Sequence, residues 1–88
     1  MIYEKEEYPI EVMSYSGYRY AQAPRSFSLW GKIFEVAEII SASRSLSFID
    51  GKVREHFIVR TVDGWIFELR HDEEKDEWFA RRRNPQSE

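Results

Sequence analysis

Between Ile10 and Arg81 the large apolar residues are mostly aromatic or β-branched, and Gly31, Asp50-Gly51 and Asp63-Gly64 break them into short runs. Side chains of that kind suit a pleated, half-buried surface, and Gly or Asp-Gly between alternating runs marks hairpin turns. A helix would need apolar residues at three- and four-residue spacing over ten or more positions. Only Ile33–Ala42 approaches this, with Ile33, Val36, Ala37 and Ile40 on one face. The chain is therefore expected to be all-β, with 33–42 read as a strand carrying a bulge rather than as a short helix.

Parity tests the hairpins. Taking Gly31-Lys32 as a two-residue loop sets Leu29 opposite Phe34 and Phe27 opposite Val36, with all four on one face. Beyond Val36 the alternation fails at Ala37-Glu38-Ile39-Ile40, which predicts a bulge that bends the strand. For the second hairpin, a strict Asp63-Gly64 loop would set Val59 against Glu68. A three-residue loop, Val62-Asp63-Gly64 with Gly64 left-handed, instead sets Val59 against Phe67 and Phe57 against Leu69. The three-residue loop is the expected one. Its outer face then pairs Arg60 with Ile66, Ile58 with Glu68, His56 with Arg70 and Arg54 with Asp72. Ser41–Phe48 reads either as the end of a long strand or as an irregular crossover, and Glu77–Arg81 as the last strand. These elements predict five or six antiparallel strands in meander order, forming a strongly bent sheet or a small open barrel.

The 88 residues allow one domain with one small core. Met1–Glu7 and Asn84–Glu88 are expected to be flexible tails. With no cysteine there is no disulfide, thiolate metal site or cysteine nucleophile, and the composition fits a reducing compartment. The acidic N-terminus lacks the pattern of a secretory signal, and no apolar run approaches the 20 or so residues of a membrane span. A cytoplasmic location is expected, with no membrane partner. The net charge of −3 opposes whole-molecule attraction to a polyanion.

Pro24–Val36, then Phe57–Leu69 and a final Trp78 before a basic end, resemble a family of short bacterial all-β proteins of unknown function. The resemblance covers Ile10 to Arg83 and rests on hairpin motifs. It implies an uncharacterised small protein, some of whose relatives are encoded near error-prone DNA polymerases, and so a DNA-repair context. It brings no catalytic residues. Leu46-Ser47-Phe48-Ile49 stands where the family pattern has tryptophan.

Chemistry is sparse. His71, Asp72, Glu73 and Asp76 lie in one loop, but Lys75 sits among them and the spacing matches no calcium loop, so no metal is expected. Glu55 shares the parity of Phe57 and is expected to lie inward or at a strand end, paired with an arginine rather than catalytic. Ser41–Ser47 holds no nucleophile elbow, and Gly17, Gly31, Gly51 and Gly64 are too isolated to cradle a phosphate. Neither catalysis nor a cofactor is expected. The candidate binding residues are Tyr15, Tyr18, Arg19 and Tyr20, where tyrosines flank an arginine, together with Arg25 and the run Arg81, Arg82, Arg83. Two readings follow: a non-catalytic protein-interaction or self-associating module, and, as the alternative, a single-stranded nucleic-acid binder or DNA-repair accessory protein. The tyrosine segment serves either reading, or else closes the core.

Overall fold

The first hairpin turns at Trp30 and Gly31, both with positive φ, 57° and 73°. This is the turn whose backbone twist matches that of the flanking strands. It shifts the expected loop back by one residue and pairs Leu29 with Lys32 and Phe27 with Phe34. Because the register moves by two, the facing residues keep their parity. Phe27, Leu29 and Phe34 are buried and Val36 half-buried. Trp30 takes the left-handed conformation, costly for a bulky residue, because there its ring meets Tyr8, Phe34 and Phe67 edge-on at 5.5, 6.5 and 6.3 Å.

A computed structural model describes residues 7–14 and 23–83. Among them the strands are β1 (Tyr8–Ser14), β2 (Pro24–Leu29), β3 (Lys32–Leu46), β4 (Val53–Thr61), β5 (Ile66–Asp72) and β6 (Glu77–Arg83), with no helix. All pairings are antiparallel in meander order, and the sheet closes into a six-stranded barrel. Closure depends on β1 serving two neighbours: Tyr8–Ile10 pair with β6, and Glu11–Ser14 with β2.

β3 serves two neighbours as well. Lys32–Glu35 pair with β2 and Val36–Leu46 with β4. Its register with β4 slips between Val36 and Glu38 and again between Ile39 and Ser41. The single expected bulge is thus a double one, and it bends a 15-residue strand around the core. Ser41–Leu46 is strand, not crossover.

The β4–β5 hairpin has the expected three-residue loop and register, including Val59 with Phe67, Phe57 with Leu69, and the outer-face pairs. Gly64, at φ 94°, supplies the left-handed residue, and the Trp65 N–H donates to Thr61 Oγ1 at 3.1 Å. Phe27, Phe34, Phe57, Phe67, Val59 and Leu69 fill the barrel; Phe67 meets Phe27 at 5.3 Å and Phe34 at 5.2 Å. Trp65, which the parity of the three-residue loop places on the core face opposite Thr61, lies instead at the rim, 37% exposed, beneath the guanidinium of Arg82. The loop ends there, so its ring can only cover the barrel mouth.

Phe67 is in contact with four other aromatic rings. Phe67→Ala is expected to cost about 3–5 kcal/mol, the range for deleting a buried Phe. Urea denaturation of the two proteins measures it.

Candidate interaction surface

The barrel has two unlike ends. One carries the Trp30-Gly31 turn, the Val62–Gly64 loop, the start of β1 and the end of β6; the other carries the β3–β4 and β5–β6 turns.

At the second end the β3–β4 turn holds Phe48 and Ile49 in solvent at 93% and 96% exposure, with Leu46 half-exposed beside them. Large apolar side chains exposed to that extent are informative when they cluster. The turn presenting them is well tied. The Gly51 N–H donates to Ser47 O at 2.8 Å, the Ser47 N–H to Lys52 O at 2.9 Å, and the Ile49 N–H to Ser47 Oγ at 3.3 Å. Asp50 accepts from the Lys52 N–H at 3.0 Å and from Arg54 at 3.2 Å. The Lys52 N–H, helped by Arg54 and the Ser47 hydroxyl, holds the Asp50 carboxyl below its ordinary range. A bonded turn of this kind loses little entropy when its apolar residues dock.

The β5–β6 turn braces this tip. The Glu73 N–H donates to Val53 O at 3.4 Å, and Arg44 grips the Glu73 carboxylate with two bonds of 3.1 and 3.2 Å. Asp72 caps the turn by accepting from the N–H groups of Glu74 and Lys75 at 3.1 and 3.4 Å. Burial pushes the Asp72 carboxyl up, but the Lys75 and Glu74 N–H groups, with Lys52 and Arg54 nearby, bring it below its usual range. Beneath lies a polar chain that runs from the buried Glu55 and His71 to the exposed Asp76. His71 stacks on Trp78 at 4.3 Å, with Nδ1 3.2 Å from Glu55 Oε1 and Nε2 2.9 Å from Asp76 Oδ1. Glu55 faces inward as expected; its closest partner is His71, with Arg44 at 3.9 Å. Neither His71 nitrogen is left to face a substrate, and among the described residues no group of His, Asp and Glu could hold a metal ion.

The first end is aromatic and basic. Trp30 is 56% exposed over the barrel mouth, and Trp65 lies 6.4 Å from Phe67 under Arg82. Lys32 stands over the Phe34 ring and pairs with Asp63 at 3.4 Å. Beside Trp30, where β1 leaves β2, Pro9, Ile10, Glu11, Ser28, Leu29, Trp30 and Gly31 line an open, largely polar groove of about 540 Å³.

The predicted site residues do not form one track. Arg25 lies near Met13 and Ser14 at the far end of β2 and is engaged in contacts within the protein, whereas Arg81, Arg82 and Arg83 lie opposite Glu68, Phe67 and Ile66. Arg81 pairs with Glu68 at 2.8 Å, and Arg82 stacks on Trp65. Arg82 and Arg83 have no carboxylate partner among the described residues. Tyr15, Tyr18, Arg19 and Tyr20, and the tails apart from Glu7, lie outside the described residues. Glu7, expected in the N-terminal tail, is held by Arg70 at 2.7 and 3.2 Å.

Sequence reasoning passed over Phe48 and Ile49. The available signal was two large apolar residues directly before the Asp50-Gly51 turn, where a hairpin has no inside face.

Comparison with known protein families, with curated proteins and with solved structures finds no match to this chain. Among the described residues no helix is long and apolar enough to cross a membrane.

The Arg70 guanidinium holds the Glu7 carboxyl below its ordinary value, chiefly by hydrogen bonding. Because the folded value lies below the unfolded one, this stabilisation is complete above the ordinary carboxylate range, about pH 4, and is lost as pH falls through the folded value. Thermal melts taken downward from neutral pH are expected to show a plateau and then a fall, and Glu7→Gln is expected to make that fall shallower. An unchanged acid limb in Glu7→Gln would contradict the assignment.

Proposed function

We propose that this protein is a non-catalytic interaction module that engages another protein surface through the β3–β4 hairpin tip. The observation that carries this reading is the pair Phe48 and Ile49, almost fully exposed on a turn whose backbone is closed by its own hydrogen bonds. Apolar anchors on a rigid support, ringed by polar groups, are the usual composition of a binding hot spot. Leaving them in water is unfavourable by roughly 25 cal/mol per Å² of apolar area, a cost that docking recovers.

A second reading, single-stranded nucleic-acid binding in a DNA-repair setting, is favoured by Trp65 stacked with Arg82 and by Arg83 beside it. Rings and guanidinium groups together suit base stacking and phosphate contact. Against it stand Arg60 and Arg81, whose charges are taken up by Glu38 and Glu68. On this reading oligonucleotide affinity would fall steeply with salt and with Arg82→Ala plus Arg83→Ala.

The double substitution Phe48→Asp plus Ile49→Asp is expected to leave the unfolding midpoint nearly unchanged, because both side chains are exposed. It is expected to weaken partner capture at least about tenfold, the scale of losing a hot spot. Affinity purification with both proteins measures this; identical capture by wild type and variant would contradict the tip's role.

A further inference from the structure

Toward the end that carries the β3–β4 turn, β3 has a single neighbour. It pairs with β2 through Lys32–Glu35 and with β4 through Val36–Leu46, so from Glu38 to Leu46 its other edge is unpaired among the described residues. Every second residue there turns its N–H and C=O away from β4, and such a row is a template for a further strand. Proteins blunt edges of this kind with lysine, proline or bulges. Ser41–Leu46 has none of these. Its register with β4 is uninterrupted, and its single charge, Arg44, is held by Glu73 at 3.1 and 3.2 Å. Ser41, Ser43 and Ser45, opposite Ile58, His56 and Arg54, are small and exposed, so another backbone can approach closely. At the two limits of the stretch, Ile40 and Leu46 are 50% and 53% exposed.

We propose that this edge is completed by the same edge of a second copy of the chain, giving an antiparallel two-fold dimer whose sheet runs from one barrel into the other. A two-fold axis perpendicular to a sheet keeps each face on its own side. Directly opposed residues also share a face, so the axis must set one residue against itself. An axis at Arg44 would oppose two guanidinium groups, which is destabilising. Axes nearer either limit shorten the regular pairing, because the register slips at Ile40 and the strand ends at Leu46. An axis at Ser43 avoids both faults. It opposes Ser43 to Ser43, Ser41 to Ser45 and Ala42 to Arg44, and it brings Leu46 of each copy beside Ile40 of the other, covering two apolar side chains that the barrel leaves in water. Main-chain bonds supply the affinity of such strand addition, and the side chains fix its register. The assembly is isologous and therefore closes at two chains. Its pairs include neither Phe48 nor Ile49, so the inference goes beyond the tip reading and does not depend on it.

Because the chain has no cysteine, disulfide trapping tests the register directly. Opposed residues of paired strands lie within disulfide reach. Ser43→Cys is expected to link into a dimer under mild oxidation at least about tenfold faster than Val62→Cys, because a thiol facing its partner reacts as an intramolecular one. Val62 is 61% exposed at the opposite end of the barrel and reports chance collision. Ser41→Cys and Ser45→Cys should each stay near the collision rate alone and link to each other when mixed. Sedimentation equilibrium of wild type should approach the mass of two chains as concentration rises and go no further. Ser43→Lys, which opposes two ammonium groups, should remain a monomer with an unchanged unfolding midpoint, since position 43 is exposed. Linking of Ser43→Cys no faster than Val62→Cys would overturn the inference, as would a wild type that is monomeric at every concentration reached. Fast self-linking of Ser41→Cys or Ser45→Cys would overturn the two-fold at Ser43.

Discussion

The double bulge in β3 is the constraint on which the rest of this molecule depends. A straight 15-residue strand would run past the core in one direction and leave its neighbours unpaired. Two slips of register, at Ala37 and Ile40, turn it instead, so that its first residues pair with β2 and the remainder with β4. Phe27, Phe34 and Phe67 are brought together in the bend, and β1 closes the remaining gap by pairing with β6 and then with β2. Closure removes most of the sheet edge that would otherwise seek partners. Interaction capacity is then concentrated at the barrel's ends, where turns and rims cannot be paired by the sheet itself.

Those ends differ for reasons of local chemistry. At one, Trp30 sits in a turn position that normally favours Asn or Gly and covers the mouth with its ring. At the other, the mouth is managed by polar groups: Glu55, His71 and Asp76 form a bonded chain under Trp78, and Arg44, Glu73 and Asp72 tie the two turns together. Phe48 and Ile49 contribute to neither arrangement. They project from a structure already complete without them, which is why a partner surface accounts for them better than folding does.

Much of the fold was legible from period-two patterning and from turn chemistry. The β4–β5 register followed from the requirement that Val59 face Phe67 rather than Glu68, and the left-handed Gly64 made the loop fit. Gly31 in the leading position points to a turn one residue later than the one that forms at Trp30-Gly31, because the reach of the Trp30 ring across the barrel mouth is a tertiary effect. Full closure was not legible either, since it requires β1 to change neighbours after Ile10, and no local pattern announces that. The tip escaped notice because parity arguments assign apolar residues to a core face, whereas a hairpin turn has none. Arg81, Arg82 and Arg83 looked like one basic run, but strand alternation sends Arg81 to Glu68 and Arg82 to Trp65.

The central claim is the proposal that Phe48 and Ile49 at the β3–β4 tip form the contact surface for a protein partner. Backbone NMR resonances of the labelled protein, followed as a protein captured by affinity purification is added, test it directly. The account predicts that the amides of Phe48 and Ile49 shift or broaden most, and that the Phe48→Asp plus Ile49→Asp variant shows no such change. Changes that spare the tip, or equal changes in the variant, would contradict it.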